Sequence, residues 1–445
     1  ELQYCSTISR YISHKMNIFL DTVGCRLNQA EIERMAGEFR AAGHSIVGSA
    51  QEADLVIINT CAVTAAAGSD SRQKARQAFR AGAAEVLLTG CLATLEPEQS
   101  AHLPGVSRVV GNPDKFRIPA IVLKQPDDFD AGSIARKPLP GPRKRTRAFI
   151  KAQDGCDNLC TFCVTRIARG KAVSVPKELV LRDTQAALEG GVQEVVLSGV
   201  HLGSWGSDQG NGEAITDLAA YLLAKTTLKR LRFSSIEPWD LDERFFALWQ
   251  DSRVCRHLHL PLQSGSASVL KRMARHTTPE KFKKLVQLAR EKIPGVAITT
   301  DLIVGFPGET EQEFTESLAF VNEIQFAAGH VFKYSARAGT AAARLPGRIH
   351  GSIAHERSRA MRSVLKQSAQ DYCLSHIGKE LSVLWESGRK LDSGEWLMHG
   401  LTDNYLEIDG LAEIDRCNKI DRVKIRKLNG DTLRAEIILS FETGE

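Results

Sequence analysis

The chain has 445 residues, 43% hydrophobic and 25% charged, the make-up of a folded protein with room for roughly two to four domains. Ten cysteines are far too sparse for a disulfide scaffold, and no run of about 18 apolar residues is present to cross a membrane. The net charge of +5 permits an acidic partner without requiring one, so the expectation is a cytoplasmic protein with no membrane partner, whose clustered cysteines serve metal or redox chemistry.

Residues 1–15 are polar and patternless and are left unassigned. From 16 to 123, apolar runs alternate with helical stretches: "NIFLDTVGC" (17–25), "DLVIINTC" (54–61) and "EVLLTGC" (85–91). Continuous apolar runs between helices predict a parallel sheet covered on both faces, a small doubly wound α/β domain. Cys25, Cys61 and Cys91 each end one of these runs. Singly, a cysteine is more often a small buried hydrophobe than a ligand. Strand ends of a parallel sheet, however, share one rim, where such folds build their sites, and this favours a three-thiolate site. Arg72, Lys74, Arg76 and Arg80 lie on one expected helix.

Residues 124–146 carry four prolines and end in Arg143, Lys144 and Arg145, with Arg147 just beyond, which reads as a linker. From 147 to 373 the alternation resumes, with expected strands in "RAFIKAQ", "EVVLSGVHLG", "RLRFSSIEP", "HLHLPLQSG", "AITTDLIVGFPGE" and "GHVFKYSAR". Six strands with intervening helices predict a partial (β/α)6 barrel with every strand's C-terminal end on one face. Residues 374–445 switch to short strands with Gly, Asp and Asn turns, a small antiparallel β-barrel. This last segment holds 10 Lys and Arg against 14 Asp and Glu, net −4. Its basic strip is "RVKIRK" (422–427), with Trp385, Trp396 and Tyr405 as possible base-stacking partners, although such aromatics more often form barrel core.

Directly after the first barrel strand comes "DGCDNLCTFCVTRIARG" (154–170), with Cys156, Cys160 and Cys163. A structural zinc site calls for four closed ligands, and the loop offers three. Soft thiolates favour iron–sulfur clusters, and a four-iron cube held by three cysteines leaves one iron open to a small ligand. This loop is similar to that of the radical S-adenosylmethionine enzymes, whose fold is the partial barrel. Two three-cysteine sets and a terminal barrel together resemble the methylthiotransferase family over about residues 16–441. The resemblance implies two [4Fe-4S] clusters, an auxiliary one on Cys25, Cys61 and Cys91 and a radical one on the catalytic loop cysteines. It also implies S-adenosylmethionine as methyl and radical source, a TRAM module as the terminal barrel, and an electron donor of unstated identity. At the barrel's strand ends Gly199, Ser235, Glu237 and Arg169 are the candidate contacts to S-adenosylmethionine, against a bland reading of turn chemistry.

Within the family, "GCRLNQAE", "GVHLGSWG", "RFSSIEPWDL" and "HLHLPLQSGSASVLKRM" look most like the branch that modifies N6-threonylcarbamoyladenosine 37 in the tRNA anticodon stem-loop. "VTRIARGKAVSVP" and "SARAGT" depart from the family's usual loop sequences. The basic residues Arg337, Arg344, Arg348, Arg357, Arg359, Arg362 and Lys366, with the clusters Arg72, Lys74, Arg76, Arg80 and Arg143, Lys144, Arg145, Arg147, are expected to meet RNA phosphates, unless they merely coat solvated helices. The rival readings are isopentenyladenosine 37, an aspartate of a ribosomal protein, and a non-catalytic RNA-binding protein with structural metal.

Overall fold

The computed structural model describes residues 15–126 and 146–440. Residues 1–14, much of the proline-rich linker and its Arg143–Lys144–Arg145 cluster lie outside the described residues. The chain divides into two compact units, Glu1–Gly141 and Pro142–Glu445.

The first unit is built on five parallel strands: β1 (Asn17–Thr22), β2 (Ser45–Ile46), β3 (Leu55–Thr60), β4 (Glu85–Gly90) and β5 (Val106–Val110). Their order in the sheet is β2-β1-β3-β4-β5, so the connections reverse direction between β1 and β3. Central β3 is buried at all six positions because helices cover both faces. Leu55 and Ile57 join Ile32, Phe39 and Ile118 on one side, while Val56 and Ile58 join Ala75 and Ala78 on the other. Alternation of side chains along the strand thus makes two cores from one apolar run. Each fully buried Ile or Leu there contributes about 1.5–3 kcal/mol.

In the second unit, β6 (Arg147–Lys151), β9 (Glu194–Ser198) and β10 (Arg230–Phe233) form one parallel sheet. Strands β11 (His257–His259), β12 (Ala297–Val304) and β13 (Ala328–Lys333) form another. Parallel bridges Leu231↔Val254 and Ser235↔His259 join the two sheets into the expected six-strand partial barrel. The two-residue strands β7 (Gln153–Asp154) and β8 (Val173–Ser174) pair with each other across the base of the cysteine loop. Ala148, Ile150, Val195, Leu197, Leu231 and Phe233 face the surrounding helices in a common core. By alternation Arg147, Glu194, Arg232 and His257 face the lumen.

The terminal strands β14 (Glu380–Lys390), β15 (Trp396–Thr402), β16 (Glu407–Ala412), β17 (Ile420–Asn429) and β18 (Thr432–Ser440) close into a barrel in the order β14-β15-β16-β18-β17. Four of its seams are antiparallel, and β16–β18 is parallel. Parity explains the exception: a ring of five strands cannot alternate direction at every seam.

This terminal barrel caps the N-terminal ends of the radical barrel's strands. Arg232 grips Glu194 at 2.7 and 3.0 Å and also donates to the Thr402 and Asp403 carbonyls. Arg230 donates to the carbonyls of Leu401 and Ser382, and Arg256 pairs with Asp403 at 2.6 Å. Tyr405 stacks flat on His257, ring centres 4.0 Å apart. A cavity of about 840 Å³ lies at this seam, lined by Arg253, Arg256 and Arg422. Those three are already paired with Asp251, Asp403 and Glu380.

Candidate active site and metal centres

The loop bearing Cys156, Cys160 and Cys163 leaves β7 at the C-terminal face of the partial barrel and returns at β8. It closes on itself through Cys156 N–H to the Gly170 carbonyl at 3.1 Å. Gly155, at φ +66°, makes this possible: a Cβ there would sit 1.7 Å from the Lys171 carbonyl oxygen. Thr161 pins the middle of the loop, donating its amide to the Met273 carbonyl and its hydroxyl to the Arg272 carbonyl. Phe162 packs against Val269, Met273, Phe306 and Ala342.

Two of the thiols meet a hydrogen-bond donor: Arg275 Nη1 donates to Cys160 Sγ at 3.8 Å, and the Thr165 amide donates to Cys163 Sγ at 3.4 Å, while the His201 ring lies between Asn158 and Asp240. Burial pushes Cys160 up to about 11 although Arg275 pulls it down, and burial likewise raises Cys163. N–H groups aimed at sulfur are the outer-shell contacts that iron–sulfur clusters use. Three loop thiols, with a guanidinium on Cys160 and an amide N–H on Cys163, fit a multi-iron cluster with an open corner.

The supporting residues His201, Asp240, Gln153 and Arg275 had no role in the sequence reading. Burial lowers the His201 imidazole, but the hydrogen bond to Asp240 (2.8 Å) and the nearby Cys156 outweigh it and raise the group to about 10. Gln153 accepts from His201 N and donates to the Asp154 and Gly155 carbonyls, joining the loop after β9 to the cysteine loop. Gly199 lies against Gln153: a Cβ there would stand 3.0 Å from both its Cβ and its Oε1. Ser235 bridges toward His259 just past β10. Glu237 is bound bidentately by Arg275 at 2.6 and 3.0 Å. Arg169 is buried and pairs with Asp154 at 2.9 Å. Gly199 and Glu237 therefore reach the cysteine loop through Gln153 and Arg275, Ser235 pairs with His259 at a strand end, and Arg169 braces the loop's base. His201 stood inside the quoted "GVHLG", and its histidine was the available signal.

In the first unit Cys25, Cys61 and Cys91 follow β1, β3 and β4, three adjacent strands, at their C-terminal ends. Cys25 caps the helix Arg26–Ala41, Cys61 is buried, and Cys91 opens the helix Cys91–Leu95. Gly24 presses on Cys61, since a Cβ there would come within 2.6 Å of its Sγ. Asn112 donates to Cys91 Sγ at 3.7 Å. Beneath the rim Asn28 donates to the Val23 and Thr60 carbonyls. Asn59 and Lys115 both reach Glu31 Oε2, at 3.0 and 2.7 Å. Gly90, at φ +96°, lies so close to the Thr60 carbonyl that a Cβ would be 2.3 Å from its oxygen. Gly90→Ala should therefore destabilise this unit by about 1–3 kcal/mol. Faster hydrogen exchange at β3 and β4 amides, with second-unit amides unchanged, is the expected reading.

Comparison with known proteins agrees with this geometry. Residues 150–321 match the Radical SAM superfamily, and residues 17–111 match a family described as Uncharacterized protein family UPF0004. The threonylcarbamoyladenosine tRNA methylthiotransferase of Bacillus subtilis is 36% identical, over 91% of this chain and 93% of its own length. This chain belongs to the radical S-adenosylmethionine methylthiotransferase family. The corresponding protein of Thermotoga maritima is 33% identical over 94% of this chain and 97% of its own. The tRNA-2-methylthio-N(6)-dimethylallyladenosine synthase of Erythrobacter litoralis is 32% identical over 88% of this chain and 92% of its own. The fold also resembles the radical S-adenosylmethionine methyltransferase TsrM of Kitasatospora setae, at a TM-score of 0.53 and 15% identity, over 71% of this chain and 72% of that one.

Several expected RNA contacts of this methylthiotransferase are engaged internally. Arg357 is buried against Glu309 at 2.8 Å, and Arg362 donates to the Val331 carbonyl. Arg72 pairs with Glu96, Lys74 with Asp21, and Arg147 with Glu386. Trp385 is wholly buried, its indole N–H on Asp421, and Tyr405 is stacked on His257. Neither ring is available to a base. Arg344, Arg348 and Arg359 remain exposed. No helix among the described residues is long and apolar enough to cross a membrane.

Proposed function

We propose that this methylthiotransferase inserts sulfur and a methyl group at C2 of N6-threonylcarbamoyladenosine 37 in the tRNA anticodon stem-loop. The observation that carries the reaction is the pair of three-cysteine sets, each at the C-terminal strand ends of a parallel sheet. Identities of 36% and 35% to two relatives named for threonylcarbamoyladenosine, against 33% and 32% to two named for dimethylallyladenosine, support the substrate.

Cys156, Cys160 and Cys163 hold the radical cluster, and Cys25, Cys61 and Cys91 the auxiliary one. When bound, the clusters and S-adenosylmethionine supply a carbon radical, the methyl group and a docking point for sulfur, because the aromatic C2–H offers neither an acidic proton nor a leaving group. The protein's own residues position these groups. Gln153 and His201 brace the start of the loop before Cys156, and Arg275 holds the sulfur of Cys160. Gly199, Ser235 and Glu237 line the strand ends where S-adenosylmethionine sits, and Arg169 holds Asp154 at the loop's base. Arg344, Arg348 and Arg359 offer phosphate contacts. A one-electron donor of the host completes the reaction.

Mass spectrometry of tRNA nucleosides from cells with and without this gene tests the proposal. Loss of the methylthio group from threonylcarbamoyladenosine is expected. Loss from isopentenyladenosine alone would reassign the substrate, and unchanged tRNA would overturn the reading.

A further inference from the structure

Glu237 was expected to meet a ligand, yet its carboxylate is held by Arg275, and Arg275 touches a cysteine. The Arg275 side chain is 1% exposed. Its Nη1 donates to Glu237 Oε1 and to Cys160 Sγ, and its Nη2 donates to Glu237 Oε2 and the Pro261 carbonyl. The guanidinium carbon lies 4.5 Å from the centre of the Trp239 ring. Trp239 in turn meets His201 and His276 edge-on. Four hydrogen bonds and one ring face hold this guanidinium, so its charge is fixed beside one sulfur of the loop.

We infer that Arg275 is a positioning residue that sets the reduction potential of the cluster on Cys156, Cys160 and Cys163, with Glu237 as the opposing charge. The inference rests on the reading that these cysteines hold the radical cluster. Physically, a one-electron reduction adds negative charge to a group already carrying three thiolates. A fixed cation in a dry site stabilises that added charge, and a fixed carboxylate opposes it. No bond is made or broken in this step; one electron enters from the titrant. The two residues therefore have opposite signs of effect, which a merely structural ion pair would not produce. Removing either partner of a structural pair would only loosen the loop.

The test uses the full chain with Cys25, Cys61 and Cys91 changed to alanine, reconstituted without oxygen, so that one cluster remains. Iron content is measured first. About four irons per chain validates the site; absence of iron would overturn the parent reading rather than this one. Redox titration followed by electron paramagnetic resonance, without S-adenosylmethionine, then compares three variants in this background. Arg275→Met should lower the reduced-to-oxidised ratio at fixed potential about tenfold, a shift of about 59 mV for one electron. Glu237→Gln should raise the ratio, and Arg275→Lys should restore most of it. If Arg275→Met fails to retain iron, Glu237→Gln and Arg275→Lys carry the test. Ratios unchanged in the iron-bearing variants, or shifted in the same direction by Arg275→Met and Glu237→Gln, would overturn the inference.

Discussion

Replacing Arg232 by methionine is expected to destabilise the second unit by about 3–5 kcal/mol, the cost of leaving a buried charge without its partner. Glu194 is fully buried, and its oxygens are met by Arg232 at 2.7 and 3.0 Å, with Arg230 at 3.7 Å and Arg147 at 4.0 Å. Burial by itself would raise this carboxyl, but the Arg232 charge and hydrogen bonds, with Arg230 and Arg147 behind them, lower it to about 2. Removing Arg232 reverses that balance and also frees the Thr402 and Asp403 carbonyls of the terminal barrel. All five tryptophans lie beyond residue 142, so denaturant unfolding followed by tryptophan fluorescence reads this unit alone. An unchanged midpoint would mean that the seam adds nothing to stability.

The same carboxyl gives a pH signature. A group depressed in the folded state contributes stability that is complete above its unfolded value, about 4.3, and is lost as pH falls toward its folded value. Because Glu194 is held at about 2, the wild type should lose this contribution between about pH 4.5 and 2. Glu194→Gln removes the titration, so its stability should fall less steeply over that interval. Equal slopes would remove Glu194 from the acid response.

The second large effect concerns the two cysteine sets. Cys160→Ala should reduce the iron of reconstituted protein from about eight to about four per chain. Release of 5′-deoxyadenosine from S-adenosylmethionine should fall more than about 100-fold, beyond the scale of outer-shell changes. Cys25→Ala should cost the same four irons yet leave 5′-deoxyadenosine release intact while abolishing methylthiolation. The two variants thus match in iron and differ in chemistry. Full iron in either variant would remove that cysteine from its cluster.

Much of this was legible in the chain itself. Parallel strands announce themselves as continuous apolar runs, because both faces are buried, and the cysteine spacing of the loop is local in sequence. Hence the "NIFLDT", "LVIINT" and "EVLLTG" strands and the six barrel strands could all be read before any coordinates, as could the two sets of cysteines that follow strand ends. What the sequence did not disclose were partnerships between residues far apart in it. Arg275 and Glu237 are 38 positions apart, His201 and Asp240 39, and Arg232 and Asp403 171. A charged side chain looks the same in sequence whether it faces water or a buried carboxylate, so Arg357 and Arg147 read as phosphate contacts until folding placed Glu309 and Glu386 beside them. Tyr405 and Trp385 read as core more readily than as base-stacking platforms, and the closing of the terminal barrel onto the radical barrel decided for the interior. Local chemistry fixes which elements form and where soft ligands sit; long-range electrostatic and ring contacts exist only once those elements meet, and tertiary structure alone determined them.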